Sequence, residues 1–535
     1  MPTRRFLSYL FSILFLCASI AAGFIIVPYI GDYRDELYEI MNGWDYHLAP
    51  MAPLSSAITQ ALGSLAGFDY IYLKRYTWIL NILAVSISGY YIHRLGCPAV
   101  RCICYVAFTL AALVIARFCD LTYGWDTYTI LFTVIAMVNM LRYLRTPTVI
   151  NIIYSAFWCA LLALMRIPNF CVVGAALICI LVSDRSWRLR GIDSAVFIAV
   201  FTGVCVAILT TLYGSVATYV ATLQSTMISD HDPHRIEMAF KCCIAPGLLY
   251  MACICSVDYM VNKIKLYVAA RRVRIAFLLL TAYALFFALR QMGAMASYGL
   301  HMLTPTAVMV LTSMIFLRRP MRLDRCVAML AIFLFSCVPF IGSNLGITKY
   351  LVFGALPILI YYAMPMLKGT RAVTAAIVVP VVLWMFGMRS LNEFRDTYIH
   401  TDFSRDRTEA PISKFRGMQM PAELVRKMEV IDKAVAGSTA IYPVGEDVHT
   451  RYLYEYAYDW TNPMLRHEWG RDSLFDDRKY AMQLAAMADT LRPGSAIILL
   501  PQRSRDNAGH TVVYDALAAR MSIAAENENF VVFKK

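Results

Sequence analysis

Apolar runs long enough to cross a bilayer recur from Phe6 to Met388, and they decide what this chain can fold into. A run of about 17–25 apolar residues spans the hydrocarbon core as a helix, because a helix satisfies its own backbone hydrogen bonds where no water can. The composition agrees: 59% of the 535 residues are hydrophobic and 16% are charged, against roughly 25% charged in soluble domains. The fold class is therefore a polytopic α-helical membrane protein. About 13 spans are expected from run length and flanking charge, centred on 7–30, 76–95, 99–117, 124–142, 149–166, 170–184, 193–214, 242–261, 275–292, 298–317, 326–343, 348–367 and 372–389. The first run follows Arg4 and Arg5 and is longer than a signal-peptide core, so it is expected to stay as an uncleaved span.

The net charge of +13 does not point to nucleic acid. Most Lys and Arg fall in short clusters between apolar runs, the pattern of topology signals. Arg94/Arg101, Arg142/Arg145, Arg185/Arg188/Arg190, Arg318/Arg319 and Lys368/Arg371 occupy alternate loops with the N-terminal pair. Those loops are expected on the cytoplasmic side. The opposite loops carry Asp32, Asp35 and Glu36, then Asp120 and Asp126, then Asp230-His231-Asp232. An odd span count places the C-terminus outside with them. The 15 cysteines form no CxxC pair, and those inside apolar runs suit small buried hydrophobes rather than a disulfide framework or zinc site.

After about Asn392 the composition becomes that of a soluble domain. Pro421–Ala436 has helical periodicity, Thr439–Val444 and Ala496–Leu500 read as strands, Val512–Ala519 as a helix and Phe530–Phe533 as a last strand. A small α/β domain over 391–535 is expected beside a transmembrane domain over 1–390, with Thr401–Met418 as linker. No residue there, His467 and His510 included, forms a catalytic set with its neighbours in sequence.

The first outward loop, 31–75, concentrates the chemistry. Gly31-Asp32-Tyr33-Arg34-Asp35-Glu36-Leu37-Tyr38 opens it. Arg34–Met41 can form a short helix ending at Asn42-Gly43, and Pro50–Gly67 suits a second helix. A carboxylate at Asp35 or Glu36 can take a proton from an acceptor, or can be a solvated group favouring a helix N-terminus. Asp126, in Tyr123-Gly124-Trp125-Asp126, can complete such a site or cap the next span. Lys74, Arg75, Arg166, Arg290 and Lys349 sit near outer span ends, where a cation binds phosphate, pairs with a carboxylate or snorkels. His47 and the 230–234 cluster match no standard zinc spacing.

These residues carry a resemblance. Asp35-Glu36-Leu37-Tyr38, then Ala52-Pro53-Leu54, then Gly67-Phe68-Asp69 and Arg75 resemble the first outward loop of the GT-C integral-membrane glycosyltransferases. The similarity is to the protein-mannosyltransferase-like and aminoarabinose-transferase-like branch. It covers mainly 31–130, and Met51-Ala52-Pro53 departs from the common double proline. The resemblance implies an inverting transfer from a polyprenyl-phosphate sugar to a lipid, glycan or protein acceptor outside the cytoplasm, in a bacterial inner membrane. It implies Asp35 as base, Asp126 or Glu36 orienting the acceptor, and Arg75, Arg290 or Lys349 meeting the departing phosphate. Tyr38, His47, Lys74 and Arg166 are further substrate-binding candidates. No obligatory metal is expected, although some members use a divalent cation.

Other classes compete. A transporter or flippase would show paired repeats and mid-span charges, which are scarce here. A polymerase of lipid-linked glycans would rest on one large outward loop between late spans, and 216–240 is modest. A scaffold protein would need none of the loop-one carboxylates.

Overall fold

The computed structural model describes residues 2–31, 35–116, 123–226, 406–445, 448–460, 477–500, 511–527 and 530–535, with isolated short stretches between 260 and 361. The expected spans over 242–389, with Arg290, Lys349, Asp120, His467, His510 and the 230–234 cluster, lie outside the described residues or touch them only in fragments. The chain separates into two compact units. One comprises Met1–Ile26, Ala49–Ala57 and Tyr76–Phe394; the other comprises Val27–Leu48, Ile58–Arg75 and Arg395–Lys535.

The described secondary-structure elements of the first unit are helices. It contains α1 (Pro2–Ile26), the C-terminal part of α4 (Tyr70–Arg94), α5 (Ala99–Ala116), α6 (Trp125–Arg145), α7 (Val149–Met165), α8 (Val172–Leu181), α9 (Trp187–Tyr213) and α10 (Val216–Thr226). The two short helices that complete the numbering, α2 (Asp35–Asn42) and α3 (Pro53–Ala66), belong to loop one. Three described segments, Phe6–Tyr29, Thr127–Arg145 and Trp187–Tyr213, are long and apolar enough to cross a membrane. Phe6, Phe11, Leu14 and Ile25 of α1, and Ile198 and Val206 of α9, stay exposed. In water these would be costly patches, whereas lipid solvates them. Most of the α6 segment is buried instead.

Close backbone approach holds α1. The Trp78 indole lies where a side chain at Gly23 would be, with Cε2 2.0 Å from the position of an added Cβ. Its Nε1 donates to the Ile20 carbonyl at 3.0 Å. Thr148 caps α7 by accepting from the Asn151 amide. Arg185 Nη1 and Tyr143 OH both reach Asp193 Oδ2, at 2.6 and 2.7 Å, which compensates a carboxylate 1% exposed.

The C-terminal segment is α/β. A sheet of order β3-β4-β6-β5 contains β3 (Ala440–Gly445), β4 (Ser495–Leu500), β5 (Ser522–Asn527) and β6 (Phe530–Lys534). Strands β3 and β4 are parallel, and the remaining pairs are antiparallel. Pro443 sits on β3, an edge strand, where its missing N–H costs no ladder bond. Every residue of β4 is buried. Ile497, Leu499, Val531 and Phe533 form one core cluster with Leu484 of α13 (Arg478–Thr490) and Leu517 of α14 (Val512–Ala518). The alternate residues Ile498 and Val532 are also fully buried, so the sheet is covered on both faces. Helix α11 (Ala422–Val435) packs against β5 and β6 through a stripe containing Val425, Met428, Ile431 and Val435. Asp477 and Thr511 cap α13 and α14.

One expectation is corrected here. The described part of 401–418 is folded, not a linker. Strand β1 (Arg407–Glu409) pairs antiparallel with β2 (Gln419–Pro421), and Phe415 and Met418 between them are 0% exposed. The charged composition hid three apolar residues, Ile412, Phe415 and Met418, whose burial organises the segment.

Gly23→Ala is expected to lower the thermal unfolding midpoint in detergent by several degrees, since an indole ring and not a flexible tip must move. Overpacking of this kind costs about 1–3 kcal/mol. An unchanged midpoint would show that α1 and Trp78 separate freely.

Candidate functional site

The short helix expected in loop one is α2. Asp35 and Glu36 stand in its first turn, where carboxylates favour the helix dipole. Leu37, Ile40 and Met41 recur at helical spacing and are buried at 0, 0 and 4% exposure. The helix stops at Asn42-Gly43, where Gly43 is required by contact: an added Cβ would lie 2.3 Å from Thr59 Cγ2 of α3. Helix α3 ends at Gly67 and Phe68, both at positive φ (62° and 52°), and α4 begins two residues later.

Helix α4 then turns Tyr70 and Lys74, one turn apart, onto Glu36. Lys74 Nζ lies 3.0 Å from both Glu36 oxygens, and Tyr70 OH donates to Glu36 Oε2 at 2.5 Å. Both charged side chains are 0% exposed. The ammonium and the phenol take the place of the water that burial removes from this carboxylate. Of the roles open to Lys74 in the sequence, phosphate binding, pairing with a carboxylate or snorkelling, the folded chain shows a pairing, and the partner is Glu36. Their arrangement fixes the residue after Asp35 to the start of α4.

The second unit also brings the C-terminal segment onto loop one. Helix α12 (Val448–Ala457) packs on α2. Tyr452 meets Tyr38 with ring centroids 5.2 Å apart. Tyr456, fully buried, stacks on Trp44 at 6.2 Å and meets Tyr70 edge-on at 6.0 Å and Phe415 at 5.3 Å. Its hydroxyl donates to the Phe68 carbonyl. Burial pushes the Tyr456 phenol well above its ordinary range, and the Asp69, Asp459 and Glu36 carboxylates push it the same way, so it remains a donor. Arg407 of β1 holds the start of the loop, donating through Nη1 to the Tyr29 carbonyl at 2.9 Å and the Gln419 carbonyl at 2.8 Å. Asp69 accepts from the Ile71 amide at 3.1 Å as α4 begins. Burial raises its carboxyl, while the Ile71 and Tyr72 amides and the Arg75 and Arg416 charges oppose the rise.

Of the remaining candidates, Arg75 and His47 belong to the second unit and Arg166 and Asp126 to the first. Arg75 is exposed, with its guanidinium 5.7 Å from the Tyr72 ring centroid. His47 is exposed beside Tyr46, centroids 4.2 Å apart. In the first unit, Arg166 is 9% exposed and its Nη2 donates to the Pro339 carbonyl at 2.7 Å, where the chain breaks between α7 and α8. The Ala49–Ala57 stretch, part of the same unit, meets this junction: Ile167 N donates to Met51 O at 2.9 Å and Ser55 Oγ to Met165 O at 2.7 Å. Asp126 is the second residue of α6, flanked by buried Tyr123 and Tyr128, whose hydroxyls lie 2.5 Å apart. Among the described residues no three His, Cys, Asp or Glu side chains group as a metal site would require.

Sequence reasoning did not single out Tyr70, Arg407, Phe415, Tyr452 or Tyr456. A signal existed in Arg451-Tyr452-Leu453-Tyr454-Glu455-Tyr456-Ala457-Tyr458, whose alternating tyrosines put Tyr452 and Tyr456 on one helical face.

Lys74→Met should destabilise the protein strongly, by about 3–5 kcal/mol, because Glu36 would be left as an unpaired buried charge. Adding Glu36→Gln should recover part of that loss in a double-mutant cycle of unfolding midpoints. Additive losses would show that the pair is not coupled.

No protein-family model matches the chain, and no curated protein matches it. Among solved structures, it is similar to the crystal structure of ArnT from Cupriavidus metallidurans bound to undecaprenyl phosphate, with 12% sequence identity and a TM-score of 0.44. It is also similar to the apo state of that protein, with 12% identity and a TM-score of 0.46; each match covers 97% of both chains.

Proposed function

We propose that the chain is an inverting glycosyltransferase that moves a sugar from a polyprenyl-phosphate donor to an acceptor on the extracytoplasmic side of the membrane. The observation that carries this reading is the Glu36–Lys74–Tyr70 network. It spends two charged residues to fix α2 at the position next to Asp35. A loop that served only as a connection would gain nothing from a buried ion pair over apolar packing.

In this reading the acceptor hydroxyl or amine attacks the anomeric carbon and passes its proton to the Asp35 carboxylate. The bond from that carbon to the phosphate oxygen breaks on the opposite face, and polyprenyl phosphate departs. The developing negative charge is met by Arg75, whose exposure leaves its donors open to an incoming phosphate. Arg290 and Lys349 are further candidates for that role, Asp126 for orienting the acceptor, and Tyr38 and His47 for substrate contact. Glu36 and Lys74 act through α2 rather than on substrate. The reading includes no obligatory metal, so chelation by EDTA should leave turnover intact.

Purified protein in nanodiscs, supplied with a panel of polyprenyl-phosphate sugars, tests the proposal. Wild-type turnover is expected with at least one donor, and Asp35→Asn should lower it by about 100-fold or more while folding is retained. Equal turnover in both proteins would remove Asp35 from the chemistry. Absence of transfer with every donor, together with flux of lipid-linked sugar across liposomes, would favour a transporter.

A further inference from the structure

We propose that helix α12 of the C-terminal segment is the positioning element of the acidic helix α2, and that Tyr452 and Tyr456 are its two positioning residues. The proposal rests on glycosyl transfer only for its turnover readout.

The two tyrosines stand four residues apart and so share one face of α12. Neither joins the core cluster of their own sheet, which is built from Val444, Leu484, Ile497, Val531, Phe533 and their neighbours. Both rings meet loop one, and Tyr456 also meets Phe415 of the β1–β2 connection. Tyr452 is 3% exposed and meets Tyr38, on the helix that Asp35 begins. Tyr456 is 0% exposed and meets Trp44, just after that helix, and Tyr70, which holds Glu36.

The Tyr456 hydroxyl has a more specific task. It donates to the carbonyl of Phe68, a non-glycine residue at φ 52°. Such a backbone conformation is disfavoured for a bulky side chain and persists only when its surroundings hold it. The Phe68 turn sets where α4 begins, and therefore where Tyr70 and Lys74 point. A contiguous series of contacts thus runs from Tyr456 through Phe68, Tyr70 and Lys74 to Glu36 and α2. Lys414 reinforces it: its ammonium lies 5.0 Å from the Tyr456 ring centroid and 5.1 Å from that of Trp44, and it pairs with Asp459 beyond the end of α12. Cation and ring attract through the ring quadrupole, and the pairing keeps both aromatic faces in place.

The test uses the full-length protein in nanodiscs, with Tyr452→Ala, Tyr452→Phe, Tyr456→Ala and Tyr456→Phe. Tyr442→Ala, in the sheet against Trp460, is the control for general destabilisation. Amide hydrogen exchange is followed in 35–42 and, as internal reference, in 512–518. Both alanine variants should speed exchange in 35–42 about tenfold or more with 512–518 unchanged, and Tyr452→Phe should restore wild-type protection. Tyr456→Phe keeps the ring and loses the bond to Phe68, so it should fall between wild type and Tyr456→Ala even if the alanine variant fails to fold. In glycosyl transfer, kcat should fall by about 10–100-fold with KM changed less than about threefold, the signature of a misplaced reacting group. Unchanged exchange in 35–42 for both tyrosines, or an equal rise in 512–518 as in Tyr442→Ala, would overturn the proposal. If wild-type protein transfers no sugar from any donor, the transferase reading fails while the exchange results still decide the positioning role.

Discussion

The buried pair of Glu36 and Lys74 is the constraint around which loop one is organised. Two charges withdrawn from water are tolerable only while they face each other, so every element that carries one is tied to the element that carries the other. The pair joins the first turn of α2 to the second turn of α4. Tyr70 closes it by donating a short hydrogen bond to the same carboxylate. An apolar contact would tolerate sliding by a fraction of a turn; an ion pair with a phenol on one oxygen does not. The proposed role of Asp35 as base would require that directional demand, because proton transfer depends on placement within ångströms.

The C-terminal segment is the second half of that construction. Arg407 holds the carbonyl of Tyr29 before α2, Tyr452 covers Tyr38 within it, and Tyr456 holds Trp44 and the Phe68 turn after it. Phe415 closes on Tyr70 from the β1–β2 connection, with ring centroids 5.5 Å apart. The compact unit that results is assembled from chain segments more than 300 positions apart in sequence. Contacts of that separation cost loop-closure entropy, which the buried aromatic area and the ion pair must offset. This gives the soluble segment a physical reason to accompany the membrane helices: part of its buried surface is loop one.

Much of the architecture was legible in the sequence because it depends on local pattern. Run length marks the described span helices through α9, and the helix over Asp35–Asn42 follows from acidic residues before Leu37, Ile40 and Met41 and from the Asn42-Gly43 stop. Strands β3, β4 and β6 and helices α11 and α14 fall within a residue or two of their apolar patterns. Strand β5 did not, since Ser522–Asn527 is mostly exposed and carries little apolar signal. The 401–418 segment misled because its charge density concealed Phe415 and Met418. The site was legible as composition and not as pairing. Lys74 stayed open to phosphate, a carboxylate or the interface because nothing local shows that Glu36, 38 positions earlier, is its partner. The tyrosines of α12 were silent for the same reason: burial against a distant helix leaves no periodic trace beyond their shared face.

The most direct measurement is to find where the proposed lipid-linked donor binds. A polyprenyl-phosphate sugar carrying a photoreactive group beside the phosphate would be cross-linked to the protein in nanodiscs, and the labelled peptides identified by mass spectrometry. Label within 31–75, reduced by Arg75→Ala and competed by unmodified polyprenyl phosphate, is the expected result. Label confined to the exposed faces of α1 and α9, insensitive to competitor, would contradict the assignment of loop one as the seat of the chemistry.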